Sequence, residues 1–244
     1  MADEQSPGPG GGTIRGVIFD LDGVIVDTEH LWDEAWRTCA GEHGAAWGLD
    51  DTTAVMGMSA TEWSAYVAHH IGGTVTAEDV YAECVGFVVD AVRSGRGPLM
   101  PGARALVTDT AALVPVAVAS SAAREVIDTV LGHEGIDSLF TTTVSSEEVA
   151  RGKPAPDVYA EAARRLGPEV EAHGLAVEDS GNGIKAAKAA GLTVVAIPNR
   201  QFPPRKDALD LADLVADDHG QARDFVLGQL HRPPDSDSRK RDHS

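Results

Sequence analysis

Four short segments of this 244-residue sequence bring together residue types that could do chemistry. Asp20-Leu21-Asp22-Gly23 sets two carboxylates two positions apart, just past an apolar run. Such a pair can supply a nucleophile and a general acid or base. It can also help hold Mg²⁺, which takes a few carboxylates and leaves room for water and phosphate. Two surface acids in a glycine turn is the plainer reading of that segment alone. Ser120-Ser121 closes a second run, where it could cap a helix or offer hydroxyls and N–H groups to a phosphate. Lys153 stands in Gly152-Lys153-Pro154-Ala155-Pro156-Asp157. It reads either as an exposed lysine in a turn or as an ammonium fixed by stiff neighbours. Glu178-Asp179 closes a further run ahead of Ser180-Gly181-Asn182-Gly183. Adjacent acids there suit a capped helix start or a pair of metal ligands. Each signal is modest alone. Acid pair, hydroxyls, lysine and acid pair in that order, each at the end of an apolar run or in its loop, make a strong set.

The elements that would position them follow from the runs. Residues 15–20, 114–119, 140–144, 174–178 and 193–197 are short apolar or β-rich stretches, with a weak sixth at 213–216. Unalternating runs of this kind suit strands buried on both faces. Helical patterns lie between them at 102–112, 122–132, 156–166 and 181–190. Strand and helix alternating through short links predict an α/β, doubly wound, Rossmann-like parallel sheet. Its ligands would gather at the carboxyl ends of the strands. The stretch from 29 to 94 breaks the alternation: 31–43, 60–71 and 77–93 read as amphipathic helices. The expected organisation is a disordered head at 1–13, a core domain at 14–27 and 95–231, a helical cap domain at 28–94, and a disordered tail at 232–244.

Charge narrows the function. Lys and Arg number 20 against 38 Asp and Glu, a formal charge of −18, and the only basic cluster is a short run in the tail. That balance speaks against a nucleic-acid partner and against an anionic membrane surface. No apolar run approaches the length of a membrane span. The start of the chain lacks the layout of a signal peptide, so a cytoplasmic protein is expected, as a monomer or weak homodimer. Cys39 and Cys84 fall in helical patterns and read as small buried apolar residues rather than a disulfide or metal site.

The four segments together resemble the motifs of the haloacid dehalogenase (HAD) superfamily of phosphotransferases, over most of residues 14–220. The closest resemblance is to its β-phosphoglucomutase-like branch, which includes sugar-phosphate phosphatases. The resemblance implies that Asp20 is a nucleophile forming an aspartyl-phosphate. Asp22 would protonate the leaving alcohol and then deprotonate water. Ser120 and Lys153 would hold the phosphoryl group, with Ser121 beside them. Mg²⁺ would be held by Asp20, by the backbone carbonyl of Asp22, by Asp179 and by Glu178. Family members that act on carbon–halogen or carbon–phosphorus bonds lack an acid at the position of Asp22, so phosphate-ester chemistry on a small phosphorylated metabolite is favoured.

Hydrolysis is preferred over mutase chemistry on two grounds. The loop Val55-Met56-Gly57-Met58-Ser59-Ala60-Thr61-Glu62 carries no Lys or Arg where mutases have a basic pair. Asp27-Thr28-Glu29-His30-Leu31-Trp32 has a tryptophan where mutases have a histidine. A hexose-phosphate mutase is the second reading and a non-catalytic ligand-binding regulator the third. His30 and Trp32 are expected substrate contacts near the glycine-containing flank 23–27, read as a hinge. Met56, Met58 and Trp63 could face the site, but apolar residues at helical spacing are more often core.

Overall fold

The structure is a computed structural model that describes residues 13–200 and 202–230. The expected tail, and the head except for Thr13, lie outside the described residues. Six strands form one sheet: β1 (Gly16–Phe19), β2 (Val116–Ser120), β3 (Thr142–Ser145), β4 (Gly174–Glu178), β5 (Thr193–Ala196) and β6 (Leu214–Val215). Their spatial order is β3-β2-β1-β4-β5-β6, and every pairing is parallel. Each of the six runs read from the sequence supplies one strand.

Alternation along the strands sorts side chains between two cores. Val17, Phe19, Val116, Val118, Leu175 and Val177 enter one cluster. Ile18, Ala117, Ala119, Ala176 and Ala196 enter the other, on the opposite face. A residue period of two sends neighbours to opposite faces, and burial on both faces explains why the runs show no polar positions.

Four helices occupy the stretch between β1 and β2: α1 (Glu29–Glu42), α2 (Leu49–Val55), α3 (Ala60–Ile71) and α4 (Ala77–Arg93). Three were expected. The short α2, just seven residues, carries too few apolar positions to register as a period. The start of α3 is fixed by reciprocal capping. Ser59 Oγ accepts from the Glu62 N–H, and Glu62 accepts from the Ser59 N–H at 2.9 Å. That cap anchors the loop Met56-Gly57-Met58 just ahead of it. Apolar residues of these helices, among them Trp32, Trp36, Trp63, Val67 and Val88, join the same cluster as Val17 and Val118 of the sheet.

The remaining helices are α5 (Ala103–Ala111), α6 (Arg124–Glu134), α7 (Asp157–Leu166), α8 (Pro168–His173), α9 (Gly181–Ala189), α10 (Lys206–Leu209) and α11 (His219–Leu230). Among the described residues, no helix is long and apolar enough to cross a membrane.

Candidate active site

The register of the sheet brings the chemistry together. Phe19 lies beside Val118 on one side and Val177 on the other. The residues just beyond them, Asp20 after β1, Ser120 ending β2 and Glu178-Asp179 at the end of β4, therefore emerge at one edge. The N–H of Asp20 donates to the Val177 carbonyl at 3.0 Å, which carries the strand pairing one residue further. Beyond it the chain folds back at once. Gly23 N–H donates to Val26 O at 2.8 Å, and Val26 N–H to Leu21 O at 3.1 Å. Gly23 has φ +77°, and a Cβ there would lie 2.0 Å from Asp179 Oδ2. Only glycine lets this turn rest against the carboxylate.

Lys153 sits among the acids. Its Nζ donates to Asp20 Oδ1 at 2.8 Å and to Glu178 Oε1 at 2.6 Å, with only 3% of its side chain exposed. Tyr159 of α7 stands behind it and donates its hydroxyl to Glu178 Oε1 at 3.0 Å. The other oxygen of Glu178 accepts from the N–H groups of Asp179 and Ser180, at 2.9 and 2.8 Å, and from Ser180 Oγ at 3.0 Å. Ser180 also caps α9 through the Gly183 N–H. Glu178 is thus the most fully bonded acid of the site, and it fixes the ammonium that reaches Asp20.

The charge balance is uneven. Burial pushes the Asp20 carboxyl up to about 8, against the pull of Lys153. Burial likewise raises Asp22, and it drives Asp179 well above the carboxylate range with help from Glu178. Glu178 is the exception: burial works to raise it, yet Lys153 and the Ser180 donors hold it below its ordinary value. Burial disfavours the Lys153 ammonium, but Asp20 and Glu178 overcome it and raise its pKa.

One ammonium cannot balance three buried acids and a half-buried fourth. Oxygens of Asp20, Glu178 and Asp179 lie within 4.8 Å of one another. An all-oxygen, carboxylate-rich set of this kind fits a hard divalent cation. The structure brings these three of the four expected acids together. Asp22 contributes no carboxylate oxygen to that group; its Oδ1 accepts from Thr28 Oγ1 and, at 3.2 Å, from Trp32 Nε1.

A cavity of about 260 Å³ opens over these groups. Asp20, Asp22, Lys153 and Asp179 line its floor, and Trp32, Met56, Met58 and Trp63 form much of its wall. Ser121 lines it too, and its Oγ is buried without a hydrogen-bond partner among the described residues. Ser120 does not reach the cavity. Its side chain is wholly buried and accepts from the Ala122 N–H at 3.0 Å, shaping the turn that presents Ser121. His30 is corrected more firmly: it is exposed, points to Asp27 at 3.4 Å and is not among the lining residues. One residue separates it from Trp32, and on a helix that places the two on different faces.

Three residues of the site were not anticipated. Glu29 lines the cavity and accepts from Asn199 Nδ2. Burial, aided by the Asp22 charge, raises its carboxyl to about 7. Asn199 also donates to Asp179 Oδ2 at 3.2 Å and so ties the insert to the core acids. It lies just past β5, at the same carboxyl edge of the sheet, so the rule that found the acids could have found it. Tyr159 carries no such signal, because it acts from behind Lys153.

The chain is similar to known proteins. The model of the haloacid dehalogenase-like hydrolase family matches residues 14–191. A bifunctional riboflavin kinase/FMN phosphatase of Arabidopsis thaliana is 33% identical over 195 residues, 75% of this chain and 48% of that protein. The chain thus spans about half of that relative's length. A (DL)-glycerol-3-phosphatase of the same plant is 30% identical over 98% of this chain and 100% of its own. CbbY from Rhodobacter sphaeroides, solved in complex with phosphate, superposes with a TM-score of 0.76 at 25% identity, covering 85% of this chain and 96% of that one. The chain belongs to the haloacid dehalogenase-like hydrolase family and is a phosphoric monoester hydrolase.

Proposed function

We propose that the chain is a Mg²⁺-dependent phosphatase of small phosphorylated metabolites that works through a phosphorylated Asp20. The observation that carries this reading is the Lys153 bridge. It pins a buried carboxylate at the floor of a cavity, with a second acid two residues away on the same floor.

Asp20, Asp179 and the backbone carbonyl of Asp22 would hold the cation, with Glu178 flanking them. Bound there, the cation neutralises the floor acids and draws the phosphate in. The protein's own groups do the rest. Asp20 Oδ attacks phosphorus, and the bond to the leaving oxygen breaks. Asp22 gives that oxygen its proton. Lys153 Nζ and Ser121 Oγ meet the phosphoryl oxygens, and Ser120 holds the turn. Asp22, now a base, takes a proton from water as the water attacks phosphorus. Asp20 and inorganic phosphate are released. Such a transfer depends on alignment and charge neutralisation more than on reactive side chains.

The wall supports a substrate with one phosphate. The cationic residues lining the cavity are Lys153 and Arg205. The Arg205 side chain is 92% exposed and turned toward Asp207. Residues 28–94 contribute no cation to the lining, so a second phosphate would find no counter-charge on that side, which disfavours the mutase reading. These residues act as the cap that shuts water out while the intermediate forms. Relatives named for FMN and for glycerol 3-phosphate mark the range of leaving groups to try.

The test is phosphate release across a panel of sugar, polyol and nucleotide monophosphates, with and without Mg²⁺. The Asp22→Asn variant should let phosphorylated Asp20 accumulate enough to be seen by mass spectrometry. Activity that is indifferent to Mg²⁺, or phosphate trapped on another residue, overturns the reading.

A further inference from the structure

A second group of metal-ligating side chains lies in the insert, on the seam between α1 and α4. Cys39 of α1 and His43, the residue that caps its C-terminal end, are four residues apart, so they fall on one side of the helix. Glu83 of α4 stands opposite them. Its Oε2 lies 3.1 Å from Cys39 Sγ, and both its oxygens lie 3.1 Å from His43 Nε2. One ligand atom from each of the three falls within a 4.8 Å group.

We propose that Cys39, His43 and Glu83 form a zinc site that staples α1 to α4, separate from the phosphate site. The ligand chemistry chooses the metal. A thiolate, an imidazole and a carboxylate suit Zn²⁺ and not Mg²⁺. Zinc at its usual bond lengths sets tetrahedral ligand atoms roughly 3.3–3.7 Å apart. Contacts of 3.1 Å within a 4.8 Å group therefore need only small side-chain shifts.

The surroundings favour a cation. His43 is the C-cap of α1, beside the carbonyls that give a helix end its partial negative charge. Cys39 Sγ donates its proton to the Glu83 carboxylate at 3.1 Å. A metal ion takes the place of that proton. The sulfur is buried, whereas the His43 and Glu83 side chains are 29% and 39% exposed. An ion can therefore enter from solvent and keep a water as its fourth ligand. Cys84 is buried against Cys39 but falls outside the ligand group. The same α1 carries Glu29 and Trp32 into the cavity, so the staple would hold the wall that they form.

Cobalt titration tests the proposal. Metal-free, reduced, full-length protein is titrated with Co²⁺, and the near-ultraviolet sulfur-to-cobalt charge-transfer band is followed. No cysteine lines the phosphate site, so that band reports the α1–α4 seam alone. One equivalent should develop the band, and Zn²⁺ should abolish it by displacement. Cys39→Ser should remove it. His43→Ala alters a surface position and should weaken zinc binding at least about 10–100-fold. Cys84→Ala should leave the band in place. Circular dichroism checks that each variant is folded. A folded wild-type protein with no thiolate band overturns the site, as does a band that survives Cys39→Ser or depends on Cys84.

Discussion

The floor of the cavity and its wall lie a few ångströms apart, and they relate to stability in opposite ways. On the floor, Asp20, Glu178, Asp179 and Lys153 are all almost fully removed from water. Burying them costs solvation that a single lysine restores only in part. On the wall, Trp32 stacks near Trp36 with ring centres 6.0 Å apart, and Trp63 lies 5.6 Å from Trp32. These rings gain stability by burial and by their contacts with each other. The floor is what the rest of the fold must stabilise against. The wall is part of that stabilisation, and it also bounds the space a leaving group can fill.

That contrast can be broken in order of expected effect. Asp20→Asn should lower phosphate release by at least about 10⁴-fold, since it removes the nucleophile. The same change should leave the melting temperature of the metal-free protein equal or higher, because an amide needs neither a buried charge nor the uptake of a proton on folding. A fall in melting temperature would show that the floor supports the fold after all. Lys153→Met should impair both properties. It removes the ammonium from Asp20 and Glu178, at a cost of about 3–5 kcal/mol in denaturant unfolding, along with most of the activity. Trp63→Ala should act the other way round. Loss of about 3–5 kcal/mol of stability is expected, with KM rising more than kcat falls.

The smallest effect is a pH slope. Asp20 and Glu29 keep their protons up to about 8 and about 7 in the fold, but they lose them near their ordinary values when unfolded. Between about pH 4 and 8 the folded state therefore binds more protons than the unfolded one. Stability of the metal-free protein should fall as pH rises through that window. Saturating Mg²⁺ should flatten the fall at the Asp20 end. Melting curves at several pH values, with and without the cation, measure both. A slope that rises with pH would mean that the floor acids are already compensated by the protein alone.

Much of the floor was legible in the sequence, because its residues terminate runs whose burial is itself legible. Asp20, Glu178 and Asp179 each stand where an apolar strand stops, and a parallel sheet gathers such ends at one edge. The wall was harder to read. Trp32, Met56, Met58 and Trp63 are cavity lining and core at once, and helical spacing distinguishes only inside from outside. His30 was misread for a related reason: nearness to a hinge in sequence does not say which side of a helix faces the cavity. Ser120 and Ser121 show the limit of resolution along a strand end. One residue decides which hydroxyl is turned inward and which is offered.

The two faces of the sheet differ in the size of what covers them. The face away from the insert mixes large residues such as Ile18, Tyr159 and Ile184 with many alanines, among them Ala117, Ala119, Ala176 and Ala196 of the strands and Ala186 and Ala187 of α9. Methyl-sized tolerances of this kind make that side brittle to drift. A valine in place of Ala186 or Ala187 changes no charge and touches no substrate, yet it has nowhere to go except by lifting α9. With α9 would go Gly183, where a Cβ would already lie 1.5 Å from Glu178 Oε1, and with Glu178 the lysine it steers. Substitutions that abolish turnover in this molecule should thus fall into two populations, one at the cavity and one on the far side of the sheet.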